Sequence, residues 1–473
     1  IALLKLKKPE RALACFVHAI SINEDYAEAF SNRGDALVQI KQFGEAMESY
    51  KRAIDLKPDF HQAHSNLLFC MNFYHAIQQP EILQESLRWN TLHAARKRHP
   101  SIRHGNTRQA DWRLRIGYVS PDFQNHPVAN FIEPLLANHN RRNFEVFCYY
   151  THHVHDDTTN RLAILADRWA ESKGRSDTQL ADQIRSDGID ILIDLAGHTA
   201  NNSLLAFAEK PAPIAMTYLG YPNTTGLAAM DYRITDGYAN PPGEDEYYSE
   251  KLLRLPHSLW CYSPPENMPP ITPLPALKNG FLTFGSFNNF NKIDDRCVAL
   301  WARILQAIPD SRLLFVTAPE GRPRSLLEEQ FLAQGISSTK LSFHGALPGA
   351  EFRQMLQQVD ITLDPVTVNG ATSTCESLWL GVPVISLVGT RFLTRAGLSI
   401  LNAAGMPEFA LSSAAECVNL ARHVADDLAG LAKLRATMRE NISRSPLMNG
   451  TLFAENIERL YRTAWTDWCN ASA

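Results

Sequence analysis

A helical solenoid followed by two α/β domains, each built on a parallel sheet, is the architecture the chain predicts. Three observations carry it: a 34-residue period near the start, two successive series of short apolar runs alternating with amphipathic stretches, and a proline-rich break between those series. With 473 residues, 45% of them hydrophobic, the chain is too long for one core and has apolar residues enough for two or three. Its formal net charge of −4, with both signs interspersed, argues against nucleic acid or an anionic membrane as the main partner.

The period is explicit. Ala12, Phe16, Ala19, Ile20, Asp25, Tyr26, Ala29 and Asn32 recur as Ala46, Tyr50, Ala53, Ile54, Asp59, Phe60, Ala63 and Asn66. An unrepeated helical hairpin does not easily produce eight matched positions. Small and aromatic residues at this spacing resemble the tetratricopeptide repeat, a helix pair that stacks on its neighbours. The solenoid is expected to cover residues 1–100 and to hold a protein or peptide in its concave groove. Because the chain opens at Ile1 in the middle of a unit, and a solenoid needs roughly three repeats, further repeats are expected upstream.

From about Leu114 the runs LRIGYVS, FEVFCYY, GIDILIDLAG and YRITD alternate with helical segments such as TQLADQIRSDG. That alternation reads as βαβ units and gives a first domain over residues 113–262. Ser263 to Gly280, SPPENMPPITPLPALKNG, is too rich in proline for regular structure and reads as a linker over 263–280. FLTFGSF, SRLLFVT, KLSFHG, DITLDP and PVISL then begin a second domain, 281–473, closed by the helix FAENIERLYRTAWTDW.

The eight cysteines lie far apart with no C-x-x-C pair, which suggests neither a disulfide framework nor a zinc site and fits reduced thiols in a cytoplasm. No apolar run approaches a bilayer-spanning length, and the first residues lack the order of a signal peptide. There is no Gly-x-Gly-x-x-Gly after the first strand and no Gly-Lys-Ser/Thr loop, so dinucleotide oxidoreductases and P-loop ATPases lack their glycines. No spaced His, Cys or carboxylate group reads as a metal cage; His152, His153 and His155 read as a solvated loop.

Ligands of open parallel sheets sit beyond the carboxyl ends of the strands. After DITLDP comes VNGATSTCESLWLGVPV, where Gly370 permits a tight turn and Thr372, Ser373 and Thr374 fall at the N-cap and first turn of a helix over Cys375 to Leu380. Backbone N–H groups and hydroxyls there suit phosphate oxygens, with Glu376 one turn further in for ribose hydroxyls. Simple helix capping explains the same residues equally well. After FLTFGSF come Asn288, Asn289, Asn291 and Lys292, a lysine among asparagines that could neutralise a departing diphosphate. In the first domain His126 and His198 each follow a strand, a place for proton transfer or for a structural hydrogen bond, with Asp122 and Asp194 nearby.

Taken together, NHPVANFIEPL, AGHTANN, PAPIAMTYLGYPNTTG, MDYRITD, FGSFNNFNKI and CESLWLGVPV resemble the catalytic region of protein O-linked N-acetylglucosamine transferases, with wording closest to the SPINDLY branch. The resemblance covers roughly residues 113 to 470, and the preceding repeats match the family's domain order. It implies a GT-B glycosyltransferase of two Rossmann-like domains that inverts the anomeric centre without metal or cofactor. Its donor would be a nucleotide sugar, UDP-GlcNAc or, as in plant SPINDLY proteins, GDP-fucose, and its acceptor a protein Ser or Thr hydroxyl. Carried over position by position, His126 falls on the acceptor side, Lys292 on the diphosphate, Thr372 and Ser373 on the phosphates and Glu376 on the ribose. The PNTTG loop, with Pro222, Thr224 and Thr225, falls near the sugar, and His198 matches the SPINDLY wording. Ala371, Asn291, Gly349 and Phe352 depart from the animal enzymes' histidine, tyrosine, lysine and histidine, which leaves uridine against guanosine open. The expected catalytic set is therefore His126, His198 and Lys292, with Asn289, Lys292, Thr372, Ser373 and Glu376 on the nucleotide sugar. A non-catalytic scaffold, in which only the repeats work, is the alternative of a different class.

Overall fold

The computed structural model describes residues 1–95, 97 and 104–471, so the expected end of the repeats at residue 100 lies outside the described residues. The chain divides into two compact units. One comprises 1–237, 241–259 and 450–473, the other 238–240 and 260–449.

In the first unit the repeat helices Pro9–Ile22, Ala27–Gln39, Phe43–Leu56 and His61–Phe73 bury the alanines that the period picked out, among them Ala12, Ala29, Ala46, Ala53 and Ala63. A small residue at these places lets helix backbones approach; a Cβ on Gly34 would lie 2.5 Å from the Tyr50 ring. Strands β1 (Leu114–Ser120), β2 (Phe144–Tyr150), β3 (Arg168–Glu171), β4 (Ile191–Asp194), β5 (Ile214–Thr217), β6 (Tyr232–Asp236) and β7 (Lys251–Leu255) form one sheet in the order β3-β2-β1-β4-β5-β6-β7. Every pairing is parallel. Solenoid and sheet share one core: Leu67, Leu68, Ile82 and Trp89 cluster with Leu204, Phe207, Leu227 and Met230.

The second unit holds β8 (Thr283–Ser286), β9 (Arg312–Phe315), β10 (Leu341–Phe343), β11 (Ile361–Leu363), β12 (Val384–Leu387) and β13 (Ala410–Leu411), in the order β10-β9-β8-β11-β12-β13. This sheet too is parallel throughout. Part of the proline-rich stretch is regular after all: Pro275 opens a short helix, Pro275–Asn279, and Gly280 ends it at φ 75°. Proline at a helix's first position loses no hydrogen bond, which is why proline content misleads there.

The closing helix, Gly450–Asn470, corrects the expected boundary of the second domain, because it packs on the first unit. Its buried Phe453, Ile457, Tyr461 and Trp465 make one apolar stripe. Tyr461 Oη lies 3.1 Å from Tyr118 Oη, Glu458 Oε1 2.9 Å from His139 Nδ1, and Trp465 Nε1 donates to Gln109 O at 2.9 Å. An amphipathic stripe announces that a helix must be covered, but not by which sheet's layer. No helix among the described residues is long and apolar enough to cross a membrane.

Candidate functional site

The second sheet reverses its strand order between β8 and β11, and ligands of open parallel sheets sit at such a switch point, beyond the carboxyl ends of the strands. The loops leaving those two strands turn inward on each other. Lys292 Nζ donates to Asn288 Oδ1 at 3.2 Å and to Asn369 O at 2.9 Å. Ser373 Oγ donates to the same Asn288 Oδ1 at 3.0 Å, so one buried amide ties the first loop's lysine to the second loop's helix. Burial lowers the Lys292 ammonium to about 8, opposed by the nearby Asp364 carboxylate. Its hydrogen-bond partners are neutral oxygens, which leaves the positive charge available to an anion.

Asp364, buried at the end of β11, shapes the second loop. Its Oδ1 accepts from Gly370 N at 2.7 Å and its Oδ2 from Ser386 Oγ at 2.8 Å, while burial lifts its carboxyl to about 6. Gly370 is needed for close approach: a Cβ there would lie 2.5 Å from Thr374 Oγ1 and 2.6 Å from Ser373 Oγ. The helix that follows spans Thr372–Trp379, beginning three residues earlier than expected, so Thr372, Ser373 and Thr374 form its first turn. Its N-cap is Ala371, which has no side chain able to cap. The hydroxyls of Thr372 and Thr374 are buried without a hydrogen-bond partner among the described residues, and so is Ser286 Oγ at the end of β8. Fold stability gains nothing from buried hydroxyls left this way. Helix-start N–H groups, unpartnered hydroxyls and an ammonium together suit phosphate oxygens.

Glu376, one turn into the helix, is half-buried with its pKa raised by desolvation, and it pairs with Arg353, Oε1 lying 3.9 Å from Nη1. Asn289, by contrast, is exposed and spends its Oδ1 on the N–H of Asn291 at 3.0 Å. The asparagine of the crevice is Asn288, one residue earlier, because side chains leaving a strand alternate in direction and only one of two neighbours faces the second loop. Asp364 and Arg353 were not anticipated either; the strand-end carboxylate of DITLDP was the available signal for the first.

The first unit corrects two expectations. His198 is fully buried: Nε2 donates to Thr225 O at 2.8 Å, Nδ1 lies 3.0 Å from Ser65 Oγ, and the ring stands edge-on between Trp89 and Tyr221. Burial drives its pKa down to about 3. With both nitrogens engaged and the ring buried, it pins the solenoid to the sheet, which is the structural rather than the proton-transfer role expected of it. The PNTTG loop is likewise internal. Thr224 Oγ1 donates to Glu250 Oε2 at 2.7 Å, Thr225 N donates to Glu250 Oε1 at 2.7 Å, and Thr225 Oγ1 donates to the same Oε1. Gly226, at φ 67°, passes against the Ser86 backbone. Both threonines are buried and bonded within the protein, so they serve as a joint, while Pro222, which leads into them, is half-buried.

His126 remains accessible, its side chain 41% exposed, and caps the helix Pro127–Asn138 by accepting from Val128 N at 3.3 Å through Nδ1. Burial lowers its pKa, so the neutral ring carries its proton on Nε2, as a donor. Asp122 Oδ2 lies 3.7 Å away, and burial lifts that carboxyl to about 6. Asp194 is consumed by Ala196 N, Gly197 N and Thr217 Oγ1. Among the described residues no three His, Cys, Asp or Glu side chains gather as a metal site.

The family model for glycosyl transferase family 41 matches residues 56–268 and 274–457, and that for the TPR repeat matches 34–67. The chain belongs to glycosyl transferase family 41. Within that family it is 37% identical over 429 residues to the tomato (Solanum lycopersicum) protein named "Probable UDP-N-acetylglucosamine--peptide N-acetylglucosaminyltransferase SPINDLY", covering 88% of this chain and 45% of that one. It is 32% identical over 376 residues to the Arabidopsis thaliana protein of the same activity name with the suffix SEC, covering 76% of this chain and 38% of that one. The chain thus spans less than half the length of these curated relatives. Among solved structures, a mutant O-GlcNAc transferase of Thermobaculum terrenum superposes with a TM-score of 0.92 at 33% identity, covering 100% of this chain and 91% of that one. The GT-B expectation agrees with that match.

Proposed function

We propose that this family 41 chain is an inverting protein O-glycosyltransferase that moves N-acetylglucosamine from UDP-GlcNAc to Ser or Thr hydroxyls of proteins, without a metal ion, in the cytoplasm. The observation that carries the reading is the set of buried, unpartnered Thr372 and Thr374 hydroxyls beside Lys292 at a helix start. Lys292 and the helix N-terminus would take up the charge that grows on the β-phosphate as the glycosidic bond breaks, an interaction stronger in the transition state than before it. Glu376 would accept from the ribose hydroxyls. The repeats would hold the acceptor polypeptide, and His126, a donor through Nε2, would orient rather than deprotonate the attacking hydroxyl; Asp122, held near 6, is the better-suited proton acceptor in that loop.

GDP-fucose is the second donor to test, since the loop wording lies with the SPINDLY branch. The experiment is transfer of label from UDP-GlcNAc and, in parallel, from GDP-fucose to a Ser/Thr-rich protein acceptor, with Lys292→Ala as control. Label from UDP-GlcNAc supports the reading and label from GDP-fucose alone replaces the donor. Label from neither leaves the scaffold alternative.

A further inference from the structure

Thr317 follows β9 with φ 74°, and among the described non-glycine residues of positive φ it alone is β-branched. A branched side chain crowds that left-handed backbone, which glycine adopts freely, and this unit does place Gly321, Gly335 and Gly405 at positive φ. The threonine's turn has a visible use. β9 lies between β8 and β10, and successive N–H groups of an extended strand point to opposite neighbours. Val316 N donates to Ser286 O on the β8 side at 3.0 Å, but Thr317 N and Ala318 N both donate on the β10 side, to Gly345 O at 3.3 Å and His344 O at 2.9 Å. With the backbone turned left-handed between them, the Thr317 hydroxyl reaches the β8 side, where Oγ1 donates to Asn288 O at 2.7 Å.

That carbonyl belongs to the residue whose side chain joins the loops after β8 and β11. Asn288 Oδ1 accepts from Lys292 Nζ at 3.2 Å and from Ser373 Oγ at 3.0 Å. Holding the Asn288 peptide from the β9 side fixes where its side chain starts, and with it where the ammonium and the helix-start hydroxyl stand together. Strained backbone persists only where the surrounding structure enforces it, and it gathers at sites whose geometry has to be held. A glycine at 317 would relieve the strain but carry no hydroxyl to Asn288.

We propose that Thr317 is a positioning residue: its hydroxyl, kept on a strained backbone, sets Asn288 and through it the Lys292 and Ser373 donors for the diphosphate of the nucleotide sugar. The inference rests on the donor-site reading above, and its test separates the two. Calorimetric titrations with UDP and with GDP, together with urea unfolding, would compare the unaltered protein with Thr317→Ser, Thr317→Val and Thr317→Gly. Serine keeps the hydroxyl and should bind nucleotide as the unaltered protein does. Valine and glycine both lose it and should bind about fivefold to tenfold more weakly. Glycine also relieves the backbone, so its urea midpoint should lie above that of valine while its affinity stays as low. The step through Asn288 is read in Asn288→Ala, where adding Thr317→Val should bring no further loss of affinity. Affinity that recovers along with stability from valine to glycine would make Thr317 purely structural and overturn the proposal. Unchanged affinity in Thr317→Val, or an additive loss in the double variant, overturns it as well. Failure of the unaltered protein to bind either nucleotide would instead sink the donor-site reading, and this inference with it.

Discussion

Two sets of strand-end loops look alike in the sequence and behave oppositely. Those leaving β4 and β5 in the first unit carry His198, Thr224 and Thr225, and each side chain is buried with its hydrogen bonds spent on the protein. Those leaving β8 and β11 in the second carry Lys292, Thr372 and Thr374, and there two hydroxyls are buried with no partner among the described residues. Both sets fall where parallel sheets bind ligands. What separates a joint from a candidate binding site is therefore whether the fold consumes its own donors, and that contrast can be broken at each end.

The largest effect is expected for Lys292→Ala. Removing the ammonium should cut transfer by roughly a hundredfold to a thousandfold with little change in melting temperature, the mark of a group aimed at charge in the transition state. An active variant would remove Lys292 from the mechanism. At the other end, Glu250→Ala leaves the Thr224 and Thr225 donors buried without acceptors and should cost about 2–4 kcal/mol in urea unfolding, with UDP affinity unchanged. Normal stability there would dissolve the contrast.

A subtler effect belongs to Thr372→Val. Because the hydroxyl has no partner among the described residues, the valine should not lower stability, whereas UDP affinity should fall by about fivefold to tenfold through the lost phosphate contact. A drop in stability without loss of affinity would show that the hydroxyl serves the fold. Last, pH sharpens the role of Lys292. With burial holding its pKa near 8, the free protein loses this charge as pH rises through that value, so UDP affinity should fall by about tenfold per pH unit above it. Lys292→Arg should flatten the profile; a flat profile in the unaltered protein would mean the charge does not bind the donor.

Much of this was legible in the chain itself. The period placed the repeat helices because packing alanines must recur with the helix pair, and β1, β2, β8 and β9 showed as apolar runs because strands buried on both faces have no polar alternation. Lys292, Thr372 and Ser373 were legible as candidates that the fold brings together, because a strand end followed by small hydroxyl residues and a helix is a local pattern. β3, exposed at a sheet edge, and the two-residue β13 were not, since neither carries a long apolar run. By itself, then, the sequence determined the solenoid, the two parallel-sheet domains and the phosphate-suited helix start, all of which rest on contacts between near neighbours along the chain. Only the tertiary structure decided that Asn288 rather than Asn289 joins Lys292 to Ser373, that His198 is locked to Ser65, that the last helix covers the first unit, and that Arg353 pairs with Glu376. Those outcomes depend on which donors meet which acceptors across long stretches of chain, and residue type and spacing do not encode that directly.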